Sequence, residues 1–157
     1  MAYQNTAEQD ELLNLASGNK WDLLVTLTFS STRTQEQVTK ALKAYFVSID
    51  RSCLGKGARY TCIKRLPVIE HTAEATHVHI VIVKPARWSN QDFRQLLSTK
   101  WLKIRGAGKS NLQKMNRDKS WYEPIGDTDT DRRNVIGYIT KYVSKDFSSV
   151  DIENIRI

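Results

Sequence analysis

Hydrophobic positions along the chain repeat with two periods, and the switching between them predicts the order of its elements. Thr6 as a cap, Leu12, Leu13 and Ala16 on one side, and a stop at Gly18-Asn19 predict a short helix over residues 6 to 17. In Leu23-Leu24-Val25-Thr26-Leu27-Thr28-Phe29 the period falls to two. Val25, Leu27 and Phe29 then share one face of a strand, and Thr26 and Thr28 share the other. Thr34, with Gln37 at the reciprocal capping position, opens a helix in which Val38, Ala41, Leu42, Tyr45, Phe46 and Ile49 recur at helical spacing up to Gly55. Arg59 to Glu70 reads as a second strand, and Pro67, which cannot donate to a ladder, assigns it to a sheet edge or a bulge. Thr76 to Val83 is a third strand, rich in β-branched residues. Ser89 and Asp92 start a second core helix carrying Phe93, Leu96, Leu97, Trp101 and Ile104 and ending at Gly106. Ser120 to Glu123 makes a short fourth strand, and the turn Asp127 to Asp131 caps a last helix from about Arg132 to about Asp146.

Strand, helix, strand, strand, helix, strand is the split βαβ plan of ferredoxin-like and RRM-like domains. The expected fold is therefore α+β, with a central antiparallel sheet whose first and third strands lie in the middle. Both long helices cover one face, which leaves the other for a ligand and the last helix. A chain of 157 residues suits one domain with a real core. Residues 1–20 read as a helical appendage and 21–157 as a single domain.

Composition narrows the partner. Lys and Arg total 24 against 17 Asp and Glu, a formal charge of +7, and the isoelectric point near 9.5 favours a polyanion, with nucleic acid the leading candidate. No apolar run is long enough to span a membrane, and the N-terminus, with Glu8, Asp10 and Glu11, lacks the pattern of a secretory leader. A cytoplasmic protein with no membrane partner is expected. Cys53 and Cys62 have no ligand-like spacing and read as small hydrophobes. Arg105, Lys109, Lys114, Arg117 and Lys119 are opposed only by Asp118 across residues 105–119, a loop that meets phosphates or a plain solvated connector. Gly108-Lys109-Ser110 is not a nucleotide phosphate loop, because Lys103 stands where its first glycine belongs.

The chemistry-bearing residues lie on the third strand and the last helix. His77 and His79 project to one face of their strand while Val78, Ile80 and Ile82 project to the other, and two imidazoles on one face can share a divalent metal. If the hairpin before them turns symmetrically about Ala73-Glu74, Glu70 stands opposite His77 and supplies a carboxylate. His71 then faces away; a one-residue slip would exchange the two. Mixed N and O ligands suit Mn²⁺, with Mg²⁺ the abundant alternative, and a zinc hydrolase lacks an evident general base. On the last helix Tyr138, Lys141, Tyr142 and Lys145 fall on one stripe beside an apolar stripe of Ile136, Ile139, Val143 and Phe147. That pattern also describes an amphipathic helix with tyrosines at its wet boundary.

Glu70-His71, then His77-Val78-His79, then Tyr138-Ile139-Thr140-Lys141-Tyr142-Val143-Ser144-Lys145 together resemble the HUH endonucleases that initiate rolling-circle replication. Within them the chain is most similar to phage and plasmid initiators with a Tyr-x-x-Lys-Tyr-x-x-Lys helix, and Leu23 to Phe29 resembles their first motif. The order of motifs separates it from conjugative relaxases, whose tyrosine precedes the histidines. The resemblance implies His77 and His79 as metal ligands with Glu70 as the third, Tyr142 as nucleophile, Lys145 and Lys141 as its basic companions, and Tyr138 as a second nucleophile. It also implies nicking and joining of single-stranded DNA at a replication origin through a 5′-phosphotyrosine, with host helicase and polymerase as partners, since no helicase motif is present. The turn Thr72 to Thr76 departs from the family in lacking its Gly and Pro. The rival readings are a tyrosine transposase of the same chemistry and a non-catalytic RRM-like single-strand binding module. The second would call for stacking aromatics where this chain has His77 and His79.

Overall fold

The computed structural model describes residues 4–72, 75–104, 120–145 and 150–157, without the side chains of Tyr142, Ser144 and Lys145. Its elements are α1 (Ala7–Ser17), β1 (Leu23–Thr28), α2 (Gln35–Leu54), β2 (Arg65–His71), β3 (Thr76–Ile82), α3 (Asn90–Leu102), β4 (Trp121–Pro124) and α4 (Asp129–Lys145), with 3-10 turns at Gly55–Arg59 and Ile152–Asn154. The fold is α+β. Its sheet has the order β2-β3-β1-β4, every pairing is antiparallel, and β1 and β3 occupy the middle.

Local chemistry sets the helix starts. The Thr6 hydroxyl accepts from Gln9 N while the Gln9 side chain accepts from Thr6 N, and Thr34 and Gln37 repeat the reciprocal pair at α2. Ser89 Oγ caps α3 through Asp92 N. Gly55, at φ 55°, ends α2 in a conformation that a side chain would strain. The second strand starts at Arg65 rather than Arg59 because the chain after Gly55 coils into a 3-10 turn, with Tyr60 N and Thr61 N both bonded to Gly57 O. β2 is an edge strand. The last residues run along it, through bridges Val68 to Val150 and Arg65 to Arg156, and Asp151 N donates to the carbonyl of Pro67, so the edge is partly covered.

The two faces of the sheet are packed differently. Val25, Leu27 and Phe29 of the β1 segment, Ile69 of β2 and Val78 and Ile80 of β3 meet Leu42, Phe46, Phe93 and Trp101 of α2 and α3 in the larger core. On the opposite face Leu66, Val68 and Val81 meet Val135, Ile139 and Val143 of α4 and Leu12 and Ala16 of α1. Arg65 Nη1 donates to both carboxylate oxygens of Asp50 at 2.9 Å, and the guanidinium lies 4.4 Å from the Phe46 ring centre, which ties α2 to β2. No helix among the described residues is long and apolar enough to cross a membrane.

Candidate active site

The hairpin between β2 and β3 pairs Glu70 with His77 and His71 with Thr76. Strand alternation then points Glu70, His77 and His79 to the α4 face, while Val78 and Ile80 go into the larger core. Glu70 does not rest on its direct partner. Its carboxylate reaches diagonally to His79, with Oε1 3.4 Å from Nε2. His71 is exposed and bonds through Nδ1 to the Thr76 hydroxyl at 3.3 Å.

The register of β1 against β3 sets Thr26 opposite His79 and Thr28 opposite His77. Each threonine hydroxyl meets the Nδ1 of its histidine, at 3.1 Å for His79 and 3.2 Å for His77. Both threonines are buried, so each bond fixes a ring plane away from competing water, and a hydroxyl can donate or accept to suit either tautomer. The spacing Thr-x-Thr on β1 matches His-x-His on β3, and that match is the sequence signal for these two residues.

Burial is the largest influence on His79 and lowers its pKa below the usual imidazole range. The bond and charge of Glu70 oppose the shift, while the charges of His77 and Lys141 add to it. His79 is therefore held neutral, the form a metal ligand needs, and its contact with Glu70 is a hydrogen bond rather than an ion pair. Lys141 is exposed, yet near enough for its ammonium to act on the ring.

The tyrosine-bearing helix lies over this row. Val135, Ile139 and Val143 are buried against the sheet, and Tyr138, half-buried, packs edge to face on His79 with ring centres 5.8 Å apart and planes at 81°. Gln9 of α1 donates from Nε2 to Val143 O at 2.8 Å, so the amide that completes the cap of α1 also holds the last turns of α4. No pattern in the sequence marks this contact. Tyr142 follows Tyr138 by one helical turn and Lys145 lies on the final turn; their side chains, and Arg105, Lys109, Lys114, Arg117, Lys119 and Phe147, lie outside the described residues.

Among the described residues no three His, Cys, Asp or Glu side chains stand close enough as they lie to hold a metal ion. The donor chemistry nevertheless fits a divalent cation: two imidazoles anchored through Nδ1 that keep Nε2 for a ligand, and a carboxylate already at one of them.

The family model of replication-associated protein ORF2 matches residues 22–147, from just before β1 through α4 and across every residue of this row. The chain belongs to the replication-associated protein ORF2 family. Membership gives it a part in replication, and with it DNA as the macromolecule it serves. No curated protein matches the chain. Among solved structures, the hypothetical protein ORF119 from Sulfolobus islandicus rod-shaped virus 1 is similar over 96% of this chain and 99% of that chain, at 12% identity and a TM-score of 0.45.

Proposed function

We propose that this ORF2-family replication protein cuts and rejoins single-stranded DNA at a replication origin, with Tyr142 as nucleophile and Glu70, His77 and His79 as ligands of Mn²⁺ or Mg²⁺. The observation that carries the reading is the contact of Tyr138 with His79, because it lays the Tyr-x-x-Lys-Tyr-x-x-Lys helix across the histidine row. An amphipathic helix with tyrosines merely at its boundary would have no reason to seat one on an imidazole.

Thr26 and Thr28 hold the two rings, and in the ligand tautomer each Nδ1–H donates to its threonine and leaves the Nε2 lone pair outward. A bound divalent cation would supply positive charge to the non-bridging oxygens of the scissile phosphate. The phenolate oxygen of Tyr142 attacks phosphorus in line, the bond to the 3′ oxygen breaks, and that oxygen takes a proton to become a free 3′-hydroxyl. The 5′ end stays on the enzyme as a phosphotyrosine. Lys141 and Lys145 favour the phenolate and offset charge on the transition state. A 3′-hydroxyl that later attacks the phosphotyrosine reseals the strand and releases the phenol. Tyr138 serves a second cleavage while the first end is still held. Arg105, Lys109, Lys114, Arg117 and Lys119 grip the flanking phosphates, and host helicase and polymerase unwind and copy.

Labelled single-stranded oligonucleotides and Mn²⁺ test this on a denaturing gel. A covalent protein–DNA adduct is expected from the unaltered protein, lost on adding a chelator or in Tyr142→Phe, and retained in Tyr138→Phe. An adduct that persists in Tyr142→Phe moves the nucleophile to Tyr138. Tight binding with no adduct under any divalent ion leaves a binding module.

A further inference from the structure

On the other side of the sheet a cleft of about 600 Å³ lies between α2 and the end of α3, lined by Phe29, Arg33, Gln37, Lys40, Lys103 and Ile104. We propose that this cleft is a second phosphate site, which holds a backbone phosphate of the DNA strand away from the one at the histidines. The proposal rests on the nicking reading only for the identity of its ligand as DNA.

Three cations from three segments converge there: Arg33 ahead of the first turn of α2, Lys40 within it, and Lys103 at the end of α3. No carboxylate is among the described residues of the lining, and none of the three cations is in an ion pair with a described residue. Like charges around one concavity repel each other, so the arrangement is relieved by an anion. Arg33 sharpens this. Its Nε is buried without a hydrogen-bond partner among the described residues, although a guanidinium N–H taken from water needs an acceptor. A phosphate oxygen would satisfy it, with the fork of the guanidinium suited to two oxygens and the lysines acting as point charges. Phe29 is buried under Trp101 at 5.0 Å between ring centres, so it closes the floor and offers no face on which a base could stack. The cleft therefore suits a phosphate and carries no sequence preference.

Its position connects it to the histidine row. The backbone N–H of Arg33 donates to the Thr76 hydroxyl at 2.9 Å, and Phe29 N donates to Thr76 O at 3.0 Å. Thr76 immediately precedes His77. A DNA strand that passes His77 and leaves the sheet at this end meets the cleft next, on the far side of the sheet edge.

The test uses the full chain and fluorescent oligothymidylate, with binding followed by anisotropy across a salt series. Arg33→Gln, Lys40→Gln and Lys103→Gln together are compared with Arg51→Gln, Lys56→Gln and Arg59→Gln, which remove equal charge near the other end of α2. The cleft variant is expected to bind more weakly and to flatten the log K against log salt slope by about 2, from three phosphate contacts at ~0.7 each. The control is expected to flatten it by less than half as much. Because Arg33→Gln can disturb its bond network, the Lys40→Gln, Lys103→Gln pair, both at exposed positions, is measured beside it and should flatten the slope by about 1.4. Equal effects in cleft and control, no effect in either, or no binding by the unaltered protein would overturn the site. A parallel adduct assay keeps the two ideas apart: an unaltered protein that forms the adduct while the two slopes agree refutes the cleft alone, and a cleft-specific slope without any adduct refutes nicking alone.

Discussion

The two faces of one sheet are built from alternate residues of the same strands, yet they do opposite work. Toward α2 and α3, β1 and β3 present Val25, Leu27, Val78 and Ile80, a hydrocarbon surface with almost no exposure. Toward α4, at the very next positions, they present Thr26, Thr28, His77 and His79, which Glu70 joins from β2. Apolar burial is non-directional and rewards filling space. The polar row costs desolvation and is tolerated because each ring has a hydroxyl partner. One face holds the sheet together; the other gives up part of that stability for a row of aimed donors.

The contrast is tested most severely at the histidines. His77→Ala or His79→Ala should lower adduct formation by more than about 100-fold, a ligand loss at least as severe as loss of its outer partner, and should leave the melting temperature nearly unchanged. Ile80→Ala, beside them on the opposite face, should instead lose about 3 kcal/mol in denaturant melts while keeping activity at temperatures where it stays folded. Histidine variants that melt as poorly as Ile80→Ala would make the row structural. Thr26→Val, which leaves His79 Nδ1 without its hydroxyl, should reduce apparent Mn²⁺ affinity or activity by about 10-fold to 100-fold in a metal titration. Gln9→Leu removes the bond to the Val143 carbonyl and half of the α1 cap, and should cost about 1–2 kcal/mol together with a measurable loss of adduct. The smallest effect belongs to Thr34→Ala, a cap on the packing side: about 1 kcal/mol of stability and no change in adduct yield at saturating DNA.

Legibility follows the range of the interaction. Capping boxes act over three residues, so Thr6 with Gln9 and Thr34 with Gln37 are readable directly. The hairpin joining β2 and β3 is short enough for its symmetry to give the pairing of Glu70 with His77, which the structure has. Strand alternation separates His77 and His79 from Val78 and Ile80. The start of β2 is not legible in the same way, since nothing periodic marks the 3-10 turn after Gly55.

Residue order alone thus dictates the set of elements, the faces they present and the local pairing around the hairpin, because these depend on side-chain periods and on contacts a few residues apart. Other features wait on the assembled fold: Thr26 supporting His79 across 53 positions of chain, Glu70 leaning to His79 instead of its direct partner, Gln9 gripping the tyrosine helix across 134 positions, and the last residues covering the β2 edge. Such contacts arise when the packing of whole faces sets the register, and no period within one segment encodes what stands across from it.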